Sequence, residues 1–267
     1  MKLTKPLIAV SAIVLAIYSC ATVPLTGRRQ LSLVGDAEIN QSAAASYSQL
    51  LSDPKTKVIS SGTDAQRVKN IGNKLAVVIE RYLQQNGYAN QYQFKWEFNL
   101  IQSPEVNAWC MPGGKVAIYS GILPVTATDA GLAVVMGHEI AHAIAKHSAE
   151  RMSQQLAAQA GSAAVGAATS GKSATTQAIF SQLYGVGGQL AMLKYSRDQE
   201  SEADRLGLTF MAMAGYNPSE AVTFWQRMSA QKQGGAPPEF LSTHPADATR
   251  IANIQKLLPE AMKYYQK

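Results

Sequence analysis

Residues 138–147 read HEIAHAIAKH, and the spacing of the first five letters restricts what this chain can build more than any other feature. On an α-helix, residues four apart lie about 40° apart around the axis, so His138 and His142 converge on one point if the stretch is helical. Neutral imidazoles are the preferred nitrogen ligands of zinc. Glu139, next to the first of them, reaches a water on such an ion, whose proton the metal loosens. A helix is expected from about Thr128, with Thr128 as its N-cap and Asp129 in its first turn. Two histidines do not complete a zinc site, so the chain must supply a third ligand.

Two arrangements compete for that ligand. In HExxHxxGxxH the third histidine falls at 148 with glycine at 145, but here those positions hold Ser148 and Ala145. His147 comes one residue early, and on a continuing helix it points about 140° away from His142. It is therefore expected on the surface or behind the ligands. In the alternative, a glutamate from a later helix completes the site. SRDQESEADRLG, residues 196–207, offers Glu200 and, one turn on, Asp204 on the same face, whereas Glu202 lies about 200° from Glu200 and points elsewhere. An isolated acidic run is ordinarily a solvated face. With HEIAH upstream, ligation by Glu200 is the favoured reading.

The remaining pattern predicts an α+β domain that is predominantly helical. Val68, Ile71, Leu75, Val78, Ile79 and Tyr82 recur at helical spacing between Asp64 and Gln85, with Gly87 beyond. Residues 92–101, YQFKWEFNLI, alternate as a half-buried strand. NAWCMPGGKVAIYSG, from Asn107 to Gly121, reads as a hairpin turning at Pro112-Gly113-Gly114. Residues 156–191, rich in Ala, Gly, Ser and Gln, read as two helices with a mobile connection. Asn217 reads as the N-cap of a further helix, with Pro218 at its first position and Glu220 at its third, and two short helices finish the chain. Residues 166–173 match GxxxxGKS, but an Ala-rich helix former precedes them where a phosphate-cradling loop needs a strand, so no nucleotide is expected.

The first twenty residues, MKLTKPLIAVSAIVLAIYSC, carry two lysines and an apolar run from Leu7 to Tyr18, too short to span a bilayer comfortably. Ile17-Tyr18-Ser19-Cys20 resembles the bacterial lipobox, which predicts a signal peptide over 1–19, lipid on Cys20, a tether over 20–35 and a domain over 36–267. Ala21 follows the cysteine where inner-membrane retention calls for aspartate, so the expected address is the outer membrane, facing the periplasm. With Cys20 lipidated, Cys110 has no partner for an intrachain disulfide and is expected to be buried. The formal charge of +6 includes Lys2 and Lys5; removing two of 24 leaves 22 basic side chains against 18 acidic, scattered rather than striped, so no nucleic acid is expected.

HEIAH, Glu200-Ser201-Glu202-Ala203-Asp204, AGYNP at 214–218 and STHP at 242–245 follow one another in an order that resembles the HtpX and CAAX-prenyl-protease family of gluzincin metallopeptidases, in its soluble lipoprotein branch. The resemblance runs from about Pro24 onward. It implies a zincin-like domain of the minigluzincin type, with a small sheet beside the zinc-bearing helices. It also implies one zinc per chain held by His138, His142 and Glu200, with Glu139 as general base. Asp204 would orient the site or donate a proton, and His244 would stand near the metal, stabilising an oxyanion or filling the open position at rest. Residues Asn107, Ala108, Trp109 and Cys110 would border an extended substrate as a strand edge. The implied activity is endopeptide hydrolysis of misfolded or extended proteins in envelope quality control, possible partners being envelope proteases or chaperones. The rival reading is a chaperone-like or scaffold lipoprotein with a gated or largely inactive site.

Overall fold

The computed structural model describes residues 20–162, 195–231 and 238–266. The expected signal peptide, the GxxxxGKS stretch and most of the 156–191 segment lie outside them. Helices dominate and surround one small sheet. Its four strands are β3 (Val58–Ile59), β4 (Glu97–Ile101), β5 (Ala108–Met111) and β6 (Lys115–Tyr119), ordered β3-β4-β6-β5. β4 runs parallel to β6, and the other two pairings are antiparallel. A separate pair, β1 (Cys20–Thr22) with β2 (Arg29–Leu31), opens the described chain. Among the described residues no helix is long and apolar enough to cross a membrane.

Both faces of the sheet are covered, which is why β5 and β6 are buried at every position. Phe98, Leu100, Cys110, Val116 and Ile118 face the main core, filled by α2 (Thr63–Gln85), the short α3 (Leu123–Thr126), α4 (Asp129–Ile144), α6 (Arg197–Met213) and α7 (Glu220–Ala230). Trp109, Met111, Ala117 and Tyr119 face a smaller core under α1 (Asp36–Ser52), with Tyr47 edge-on to Trp109. The expected alternation over 92–101 survives as side-chain direction rather than as a full strand. Tyr92, Phe94, Trp96 and Phe98 stack in one ladder, but regular pairing begins only at Glu97. The hairpin turn is as expected: Gly113 and Gly114 sit at φ 77° and 83°, and a Cβ on Gly114 would come within 2.6 Å of the Trp96 ring.

Three local expectations are corrected. Asn217 does not cap the following helix; its Oδ1 accepts from Ser219 N in a turn, and α7 starts at Glu220. Residues 20–35 do not trail as a tether: Val23 is buried and the β1–β2 pair is held to the domain by Arg28. The HEIAH helix does not continue into His147. It ends at Ile144, Lys146 adopts φ 53°, and a separate helix, α5 (His147–Ser162), begins after it. A lysine in that left-handed conformation is disfavoured by its Cβ. It is held by Lys146 Nζ donating to Asp36 Oδ2 (2.6 Å) and to the Gln91 carbonyl (3.2 Å), while Tyr92 Oη donates to the Ile144 carbonyl (2.6 Å).

α4 and α6 cross with their backbones in close contact. A Cβ on Gly207 would lie 2.9 Å from His138 N, and one on Gly137 would lie 3.0 Å from the Gly207 carbonyl oxygen. Backbone cannot yield as a side chain can, so the helices must separate if either glycine gains a methyl. Gly207→Ala is expected to destabilise the fold by about 1–3 kcal/mol, the usual cost of overpacking, despite alanine's better helix propensity. Urea unfolding checks this, and a neutral or stabilising result would contradict the tight crossing.

Candidate metal centre

Every element of the site is anchored locally. Thr128 caps α4 as expected, its Oγ1 accepting from Gly131 N at 3.0 Å. The buried helix then presents His138, Glu139 and His142 inward, none more than 3% exposed. Across the glycine crossing, Ser196 and Gln199 form a capping box that fixes the start of α6, so Glu200 stands in its first turn. His244 follows α8 (Glu239–Thr243), and Arg250 projects from α9 (Ala248–Ala261), whose N-cap Asp247 accepts from Arg250 N.

These pieces bring His138, His142, Glu200 and His244 together, with one ligand atom from each lying within 4.8 Å of the others. His138 Nε2 is 3.1 Å from His142 Nε2 and 3.1 Å from His244 Nδ1. Glu200 Oε1 is 3.3 Å from His142 Nε2 and 2.8 Å from His244 Nδ1, and Glu200 Oε2 is 3.5 Å from His138 Nε2. Zinc bonds of about 2.0–2.2 Å in a tetrahedron place ligand atoms roughly 3.3 Å apart. These five separations, 2.8–3.5 Å, bracket that figure, and three ring nitrogens and a carboxylate gathered at one point are the donor set zinc prefers. Glu139 Oε1, buried and without a hydrogen bond, faces the same space, 3.4 Å from His244 Nε2. The residues present therefore fit one zinc ion.

Burial of so many ionisable groups shifts their affinities for protons. Burial raises the Glu139 pKa, only partly countered by His244 and His138. Burial would raise Glu200 too, but His244, Arg250, His138 and His142 outweigh it and hold it well below the usual carboxylate range. His142 is driven well below its ordinary value by burial, so its imidazole is neutral as ligation requires.

Behind each histidine of the HEIAH pair lies a polar support. His138 Nδ1 meets Asp204 Oδ1 at 3.0 Å, and Asp204 is held by Arg250 through Nε (2.9 Å) and Nη2 (2.8 Å). Arg250 also pairs with Glu200 Oε2 at 2.8 Å, and its guanidinium lies 3.6 Å from the Trp225 ring centroid. His142 Nδ1 meets His147 Nδ1 at 2.8 Å, and its ring stacks on Tyr195. His147 is thus fully buried behind His142, the second of its two expected places, because the helix breaks at Lys146. Glu202 points away from Glu200 as the helical angle requires, yet it too is buried, with Oε2 2.9 Å from His147 Nε2.

Cys110 is buried as expected and lies close enough to Glu139 for that charge to add to the effect of burial in raising its thiol pKa. Asn107, Ala108 and Trp109 are buried as well, so β5 offers any partner its outer main-chain edge rather than its side chains. A cavity of about 330 Å³ adjoins the centre, lined among others by Tyr195, Arg197, Glu200, Ser201 and Arg250. Sequence reasoning missed Arg250, Arg28 and Tyr195. No spacing rule ties an arginine in the closing helix to an acid in α6, and only the folded neighbourhood shows it.

The profile of peptidase family M48 matches residues 65–258. Over 254 residues the chain is 33% identical to the mitochondrial metalloendopeptidase OMA1 of Schizosaccharomyces pombe, covering 90% of this chain and 66% of that protein. It is 39% identical over 179 residues to the protein of the same name from Saccharomyces cerevisiae, covering 64% and 50%. It is 33% identical over 172 residues to the beta-barrel assembly-enhancing protease of Escherichia coli, covering 63% and 35%. The chain thus spans 35% to 66% of the length of these relatives.

Arg250 is the cation that balances Asp204 and Glu200 in the interior. Removing one partner of a buried ion pair costs about 3–5 kcal/mol. Arg250→Leu is expected to lose stability in that range when unfolded by urea in the presence of a chelator. A loss below about 1 kcal/mol, the scale of an exposed pair, would contradict the role assigned to it.

Proposed function

The chain belongs to peptidase family M48, and on that footing we propose that it is a zinc-dependent endopeptidase whose ligands are His138, His142 and Glu200 and whose general base is Glu139. The observation that carries this reading is the convergence of three ring nitrogens and Glu200 on one point, with the unbonded Glu139 Oε1 beside it. A zinc ion held there supplies Lewis acidity, polarising a carbonyl and lowering the pKa of water. Glu139, its pKa raised by burial, takes a proton from the attacking water as the C–O bond forms and returns it to the amide nitrogen as the C–N bond breaks. Asp204, clamped by Arg250, orients the His138 ring.

The substrate class is an extended protein segment. β5 is an outer strand, and Tyr119 N donates to the Asn107 carbonyl, so the alternation of an antiparallel pair turns the main-chain groups of Ala108 and Cys110 away from β6. Asn107 Oδ1 accepts from Ala108 N, leaving the remaining groups of this edge for a peptide aligned along Asn107, Ala108, Trp109 and Cys110. The lipobox-like residues 17–20 and the likeness to a beta-barrel assembly-enhancing protease support a lipid-anchored enzyme of the outer membrane, facing the periplasm and acting in envelope quality control.

His244 favours a second reading. With its Nδ1 among the ligand atoms, the protein supplies four donors, the number of a closed site, whereas catalysis needs one position open. A resting state gated by His244, or a chaperone-like protein with little turnover, has this same geometry.

Glu139→Gln separates the readings. Cleavage of an unfolded protein is expected to fall by at least about 10²–10⁴-fold, the contribution of a general base, while zinc stays bound at one per chain. Undiminished cleavage by that variant contradicts the mechanism. A parent protein that prevents aggregation of the unfolded substrate without cutting it favours the gated, chaperone-like reading.

A further inference from the structure

The two histidines of the HEIAH pair are supported from opposite sides by arms of the same design. On one side His138 rests on Asp204, which rests on Arg250. On the other, His142 rests on His147, His147 on Glu202, and Glu202 on Arg28 of the N-terminal β1–β2 pair, whose Nε donates to Glu202 Oε2 at 2.6 Å. Thr26 Oγ1 donates to the other oxygen of Glu202. The far end of Arg28 is fixed in turn, donating from Nη1 and Nη2 to both oxygens of Glu150 (2.8 and 2.9 Å) and from Nη2 to Gln30 Oε1 (3.1 Å).

The protons of this arm run one way. A neutral imidazole that offers Nε2 to an ion carries its proton on Nδ1. His142 therefore donates from Nδ1 to His147 Nδ1, and His147 donates from Nε2 to Glu202. The tautomer and ring orientation of a ligand then depend on a carboxylate held by an arginine in the link between β1 and β2, 174 residues before that carboxylate in the chain. Lys146 in its left-handed conformation is the turn that brings His147 behind His142.

We propose that Arg28 is a positioning residue for the metal centre, acting through Glu202 and His147 to hold His142 in its ligating tautomer and orientation, so that the N-terminal strand pair is part of the site. This rests on the ligand set proposed above. The Arg28 side chain is 29% exposed, so shortening it leaves the core filled.

The test is zinc affinity, measured by competition with a chelating dye on the full chain, with the melting temperature of the zinc-free protein as a companion readout. Arg28→Ala is expected to weaken zinc binding by about 10–100-fold, the usual effect of losing an outer-shell partner, while the zinc-free variant still melts cooperatively, at a lower temperature than the parent because Glu202 and Glu150 lose a partner. The double variant with His147→Gln is expected to be little weaker than His147→Gln alone, because both changes break one arm. Should Arg28→Ala fail to fold, Glu202→Gln, which keeps the packing, is expected to show the same weakening. Affinity unchanged within about twofold, or effects of Arg28 and His147 that multiply as independent sites do, would overturn the inference. Glu200→Ala is the control: retention of full affinity there overturns the ligand set itself, and with it the arm. A drop in Glu200→Ala with none in Arg28→Ala overturns the arm alone.

Discussion

The structure turns on the compensation of buried charge. Glu139, Glu200, Asp204 and Glu202 all lie in the interior, each no more than 7% exposed. An unpaired carboxylate in such surroundings takes up a proton or disrupts the fold, because transfer from water costs far more than packing returns. Here Arg250 neutralises Asp204 and Glu200 from one side, and Arg28 with His147 holds Glu202 on the other. Glu139 is the exception, buried with one oxygen unbonded and its proton affinity raised. A carboxylate in that condition is poised to take a proton, which is the task proposed for it.

That charge arrangement is possible only because α4 and α6 nearly touch. Gly137 against Gly207 lets the helices approach until backbone meets backbone, and Glu200 then reaches the imidazoles less than two turns from the crossing. Larger residues there would widen the gap and strand the carboxylate. The sheet matters through position more than through chemistry: β5, the outer strand, packs on α4 beside Glu139.

Much of this was legible in the sequence because it is local. The four-residue spacing of His138 and His142, the Thr128 cap, the Gly113-Gly114 turn and the shared face of Glu200 and Asp204 follow from helical or turn geometry alone. What stayed hidden is non-local. No glycine, proline or asparagine marks the break at Lys146; it exists because Asp36 and Gln91 receive the lysine's ammonium group from distant parts of the chain. The angle placing Glu202 off the ligand face was right, but solvent does not lie there, since the strand pair carrying Arg28 covers it. For His147 the second of its two expected places, behind His142, is the one found, because the helix breaks at Lys146 instead of continuing. Arg250 gave no pattern at all, because its partners lie 46 and 50 residues earlier on another helix.

The most direct measurement is a crystal structure of the zinc-loaded protein with anomalous scattering recorded at the zinc edge. One peak per chain is expected among His138 Nε2, His142 Nε2 and Glu200, about 2.0–2.2 Å from each, with His244 Nδ1 at the remaining position in the resting state. A zinc peak that leaves Glu200 uncoordinated, or that lies away from the HEIAH helix, would contradict the account.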